Sequence, residues 1–126
     1  MAKILGLMVA GALGTWLRYV MITQIGQQAS LQAWPLGTLV VNVVGCFLAG
    51  MASVLVSQRL GFSEEMGMIV MVGFFGAFTT FSALAMDTMQ LLKQSQWLMA
   101  IANLILQNVL GIAFLWLGLL LGRKIA

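Results

Sequence analysis

Gly73-Phe74-Phe75-Gly76-Ala77-Phe78-Thr79-Thr80-Phe81-Ser82 stands in the middle of an apolar run, Met66 to about Met86, long enough to cross a bilayer. Two glycines, three hydroxyls and four aromatics are a poor way to build a plain anchor helix. A backbone group that leaves the helical ladder in hydrocarbon costs several kcal/mol unless protein or a water-lined cavity satisfies it. The run therefore predicts a helix broken at mid-membrane, near 74–80, whose exposed carbonyls and amides act as ligands, as in discontinuous channel and transporter helices. An ion is the cargo such dipoles suit.

The surrounding sequence sets the context for that break. The 126 residues are 62% hydrophobic and 7% charged, with a mean hydropathy of +1.06, whereas a water-soluble domain carries about 25% charged residues. Four stretches meet the roughly 20-residue requirement for spanning: Ile4 to Ile22, Leu36 to Val56, Met66 to Met86 and Trp97 to Leu121. The expected helices cover about 4–26, 36–58, 66–92 and 97–122. Polar residues from Thr23 to Gln32, closed by Trp34-Pro35, form the first loop, and Arg59 through Glu65 the second. The predicted fold class is an all-α membrane protein with four transmembrane helices per subunit, one integral membrane domain over residues 1–126. Lys3 ahead of an apolar run resembles a signal peptide, but Arg18 and the lack of a small-residue cleavage site favour a retained helix.

Several chemistries are excluded by composition. With no histidine and a single cysteine, Cys46, neither a nitrogen–sulfur metal site nor an intrachain disulfide can be built. The basic residues are scattered singly, which gives no nucleic-acid surface. No nucleotide-binding motif and no nucleophile–base constellation is present, so the chain reads as no enzyme. Lys3, Arg59, Arg123 and Lys124 fall on the side that holds both termini, Arg18 and Lys93 on the other. Cytoplasmic loops carry the excess of Lys and Arg. That bias favours cytoplasmic termini only weakly, and insertion in both orientations stays open.

Within the spans a few residues ask for partners. Arg18 is a charge in or near a span, which either snorkels to the interface or faces a cavity. Asn42 sits among valines, where its carboxamide either bridges helices or donates to an anion; bridging is the commoner use. Asp87 falls on the same membrane side as Arg18 and is expected to pair with it. Asn103 and Gln107 share a helix face, where they either line a polar track or knit helices together. The small-residue stripe Gly45, Ala49, Ser53 and the pair Gly118, Gly122 read as helix-packing surfaces.

Three motifs in register, Gly11-Ala12-Leu13-Gly14-Thr15-Trp16-Leu17-Arg18-Tyr19, Gly37-Thr38-Leu39-Val40-Val41-Asn42-Val43-Val44-Gly45 and Gly73 to Ser82, resemble those of the Fluc (CrcB) family of fluoride channels over essentially the whole chain. The resemblance implies an antiparallel, dual-topology homodimer in the inner (plasma) membrane, with two fluoride pores and a structural sodium ion at its centre. By motif, the backbone carbonyls of Gly76 and Thr79 would hold the sodium. Asn42, Phe81, Thr80 and Ser82 would line the fluoride pore, with Arg18 at its vestibule. The implied function is passive export of cytoplasmic fluoride.

One departure stands out. The family usually reads Thr-Thr-Phe-Ser-Thr-Phe, and here Ala83 and Leu84 occupy the last two positions. Leucine has no quadrupolar ring edge and alanine no hydroxyl, so the departure bears on conduction rate more than on fold: either the member is divergent or engineered, or the second aromatic site is dispensable. The rival reading is a proton-coupled exporter of the small multidrug resistance type, also four helices and often dual-topology. That chemistry requires a membrane-embedded acid, commonly in the first span, and here Asp87 is the only candidate.

Overall fold

The computed structural model describes residues 1–28, 34–59 and 62–126. Residues 29–33 and 60–61, which belong to the two expected loops, lie outside the described residues, and so does the Arg59 side chain. The described residues are almost all helical. Among the described residues, four helices are long and apolar enough to cross a membrane: Ala2–Gln27, Leu36–Ser57, Glu64–Lys93 and Trp97–Ile125.

Helix α1 (Ala2–Gln28) runs beyond Thr23, where the first loop was expected to begin. The Thr23 hydroxyl turns back to donate to the Tyr19 carbonyl at 2.8 Å, which satisfies it without leaving the helix. Pro35 precedes α2 (Leu36–Val54), which continues as the wider π-helical turn Leu55–Arg59. Proline fits there because its missing N–H falls where a helix has no internal acceptor for it.

The third span is composite. It opens with α3 (Glu64–Met68), capped by the Ser63 hydroxyl, which accepts from Met66 N at 3.3 Å. Acidic Glu64 and Glu65 fill the first turn, where the helix dipole favours them. The π-helical stretch Ile69–Phe75 follows, then the single turn α4 (Gly76–Phe78) and finally α5 (Phe81–Lys93). After Gln94 and Ser95, α6 (Trp97–Ile125) completes the chain.

The main packing unit is the α2–α6 pair. Its backbones touch because glycine faces each of them. A Cβ at Gly118 would collide with the Phe47 carbonyl, and one at Gly50 with the Leu115 carbonyl. In lipid such close approach replaces the hydrophobic driving force with dispersion contact. Helix α1 packs chiefly on residues 69–75 and α4, where Gly14 receives the Phe74 carbonyl. Many large apolar side chains face outward, among them Trp16, Met86, Leu98 and Ile112. Outward apolar residues are what a lipid-embedded chain or a partner-covered face requires.

Candidate functional site

Between α4 and α5 the backbone leaves the helical region for two residues. Thr79 lies at φ −81°, ψ 155° and Thr80 at φ −151°, ψ 116°. The Thr79 N–H still reaches the Phe75 carbonyl at 3.0 Å, and its hydroxyl donates to the same oxygen at 2.9 Å. Thr80 then caps α5: its hydroxyl accepts from Ala83 N at 3.2 Å and lies 3.1 Å from Ser82 Oγ. The main-chain groups of Thr80 are taken by Asn42 of α2. Asn42 Oδ1 accepts from Thr80 N at 2.8 Å, and Asn42 Nδ2 donates to Thr80 O at 3.2 Å. Glycine makes this approach possible, because a Cβ at Gly45 would collide with Thr79 Cγ2 and lie 2.9 Å from the Phe78 ring.

A line of buried amides runs from Asn42 into α6 and on to α5. Asn42 Nδ2 donates to Gln107 Oε1 at 2.6 Å, and Gln107 Nε2 donates to Asn103 Oδ1 at 3.0 Å. Asn103 Nδ2 donates to Thr88 Oγ1 at 3.0 Å, and the Thr88 hydroxyl donates to the Leu84 carbonyl at 2.8 Å. Gln107, Thr88 and Asn103 are 5%, 7% and 0% exposed, so each of these bonds offsets a desolvation cost.

Beside Asn42 a cavity of about 180 Å³ opens. Its walls are Asn42 and Cys46 from α2, Thr80, Phe81 and Leu84 around the start of α5, and Gln107 from α6. Phe81 is 77% exposed, so the cavity is left without an outer wall on that side of the chain. The arrangement gathers amide and hydroxyl hydrogens with one ring edge in an apolar surround. Among the described residues that line it there is no carboxylate and no basic side chain.

Of the residues singled out from sequence, Asn42, Thr79, Thr80 and Phe81 meet at this cavity. Ser82 touches it indirectly, through its contact with the Thr80 hydroxyl. Gly76 lies one turn before the non-helical residues and is exposed. Arg18 is elsewhere: half-buried on α1, it makes no ion pair or hydrogen bond with a described residue. The expected Arg18–Asp87 pair does not form. Asp87 lies on α5 beside Thr38 of α2, while α1 is occupied with residues 69–75. Asn42 bridges helices, and Asn103 and Gln107 knit them. The sequence left Asn103 and Gln107 between lining a polar track and knitting helices, and it placed no role on Thr88. The four-residue spacing of the two amides was a visible signal; Thr88 carried none.

The chain is similar to known proteins along nearly its whole length. The family model described as CrcB-like protein, Camphor Resistance (CrcB), matches residues 5–119. A fluoride-specific ion channel FluC from Desulforapulum autotrophicum is 46% identical, over 98% of each chain. One of the same name from Nitrosococcus oceani is 42% identical over 98% of each, and one from Maridesulfovibrio salexigens 38% over 99% of this chain and 98% of its own.

Proposed function

From the premise that this chain belongs to the CrcB-like family, one of ion channels and not enzymes, we propose that it is a passive, fluoride-selective channel. It is a multi-pass membrane protein, and we place it in the inner (plasma) membrane, where it lets cytoplasmic fluoride leave down its gradient. In acid surroundings neutral HF crosses the bilayer and ionises inside, and an anion exit relieves the load. The observation that carries this reading is the Asn42 carboxamide, donating at the edge of a cavity that Thr80 and Phe81 also wall.

Fluoride is small and tightly hydrated, so a pore must offer donors in place of water. Asn42 supplies an amide N–H, and the Thr80 and Ser82 hydroxyls, 3.1 Å apart, share one hydrogen between them and leave the other to donate. The Phe81 ring edge carries positive quadrupole potential toward an anion. Arg18, off the cavity, fits the role of a vestibule charge that raises the local anion concentration. Larger halides spread the same charge over a larger radius and gain less from so compact a donor set.

The functional unit we propose is an antiparallel, dual-topology homodimer with two pores. The exposed Phe81 and the open side of the cavity support it, since a second copy supplies the missing wall. Sodium fits the backbone beside the site. In an unbroken helix Thr80 N would donate to the Gly76 carbonyl and Ala83 N to that of Thr79. Here Thr80 N goes to Asn42 and Ala83 N to the Thr80 hydroxyl. Both carbonyls are thus left as hard-oxygen ligands, which suit a hard cation. A sodium ion held by the Gly76 and Thr79 carbonyls would supply a fixed positive charge beside the site.

The deciding experiment is ion efflux from proteoliposomes loaded with fluoride or chloride. Rapid fluoride release with negligible chloride release is expected. Release that requires an imposed proton gradient would instead mark a proton-coupled exporter using Asp87.

A further inference from the structure

Both ends of the buried amide line are main-chain groups with no ambiguity of direction. The Leu84 carbonyl can only accept, so the Thr88 hydroxyl points its hydrogen there and leaves its lone pairs for Asn103 Nδ2. Asn103 must then turn Oδ1 toward Gln107, Gln107 must turn Oε1 toward Asn42, and Asn42 must turn Oδ1 toward the Thr80 N–H, which can only donate. Three carboxamides are locked in one sense by two peptide groups. Reversing any one of them sets donor against donor and acceptor against acceptor at buried or part-buried positions.

We infer that Gln107 is a positioning residue, which with Asn103 and Thr88 fixes how the Asn42 carboxamide presents itself to an anion. One Asn42 N–H is committed to Gln107 at 2.6 Å, a short bond held by the relay behind it. The other makes the longer 3.2 Å contact with Thr80 O and is the one an arriving anion can draw away. The relay thereby leaves each Asn42 with a single exchangeable donor in a set orientation. Thr88 takes no part in the cavity wall; it reaches the site through Asn103 and through the carbonyl of Leu84, a wall residue.

The inference rests on the channel reading, and the test separates the two. Thr88→Val keeps side-chain volume and removes the hydroxyl, while Thr88→Ser keeps the hydroxyl. In proteoliposomes of the full chain, Thr88→Val should lower fluoride efflux about tenfold, the effect of one lost buried hydrogen bond, and Thr88→Ser should restore most of it. Gln107→Met, of similar length but without an acceptor for Asn42, should lose at least as much and covers the case where Thr88→Val does not reconstitute. Wild-type efflux in Thr88→Val or Gln107→Met, or an equal loss in Thr88→Ser and Thr88→Val, overturns the relay while the channel stands. A wild-type protein that releases no fluoride removes the channel reading, and this inference with it.

Discussion

Asn42 holds both main-chain groups of Thr80, accepting from its N–H at 2.8 Å and donating to its carbonyl at 3.2 Å. An extended residue presents its N–H and C=O on the same side, as in the hydrogen-bonded pairs of an antiparallel ladder. A single carboxamide can therefore stand in for a neighbouring strand. Thr80 is extended at φ −151°, ψ 116°, and Asn42 supplies what its missing helical turn does not. The same side chain that stabilises the non-helical backbone is the one placed to meet an anion.

Asn42→Asp should abolish most conduction. A carboxylate keeps an acceptor for Thr80 N but sets oxygen against the Thr80 carbonyl and Gln107 Oε1, and it repels the anion. Losing two donors to polar partners and adding a charge corresponds to a fall of about a hundredfold or more in fluoride efflux. A fluoride electrode on proteoliposomes reads it, and unchanged efflux would remove Asn42 from the path.

Leu84→Phe should raise fluoride throughput. Leu84 lines the cavity and is 4% exposed, so an aromatic ring there adds a second positive edge beside Phe81. Single-channel current or initial efflux rate measures the gain. A rate no higher than wild type would show that one ring edge suffices.

Cys46, the only cysteine, lines the same cavity. A small neutral methanethiosulfonate reagent should attach there and narrow the space beside Asn42, cutting efflux severalfold. Cys46→Ala should conduct and ignore the reagent. Labelling of Cys46, confirmed by mass, with no change in efflux would argue that fluoride passes elsewhere.

Gly118→Val tests the α2–α6 contact independently of conduction. Any Cβ at Gly118 meets the Phe47 carbonyl, and a branched one cannot relax around rigid backbone. The expected destabilisation is about 1–3 kcal/mol, typical of overpacking, read as a lower melting temperature and loss of the intact species on size exclusion. Gly26→Ala, with open space around the added carbon, is the control that should melt as wild type does.

Replacing sodium by a large organic cation throughout purification should reduce fluoride efflux and weaken the dimer, with recovery on adding sodium back. The carbonyls of Gly76 and Thr79 leave such a cation no snug oxygen shell. Full activity in sodium-free protein would separate the freed carbonyls from any ion.

Hydropathy alone determined the four spans, because lipid accepts only backbone that satisfies itself and side chains that are apolar over about 20 residues. Glycine spacing likewise marked Gly118 and Gly122 as contact points, since close approach needs a missing side chain wherever it occurs. What tertiary structure decided was partnership. Asn42 had chemical reason to bridge helices, the commoner use, or to meet an anion, and only the placement of α6 turned one of its hydrogens to Gln107. Asp87 and Arg18 share a membrane side by topology, yet α1 packs on residues 69–75 and Asp87 of α5 lies beside Thr38 of α2. Burial is a property of single residues and leaves its mark in composition; the direction of a hydrogen bond belongs to pairs distant in the chain, 65 residues apart for Asn42 and Gln107, and exists only once the helices are packed.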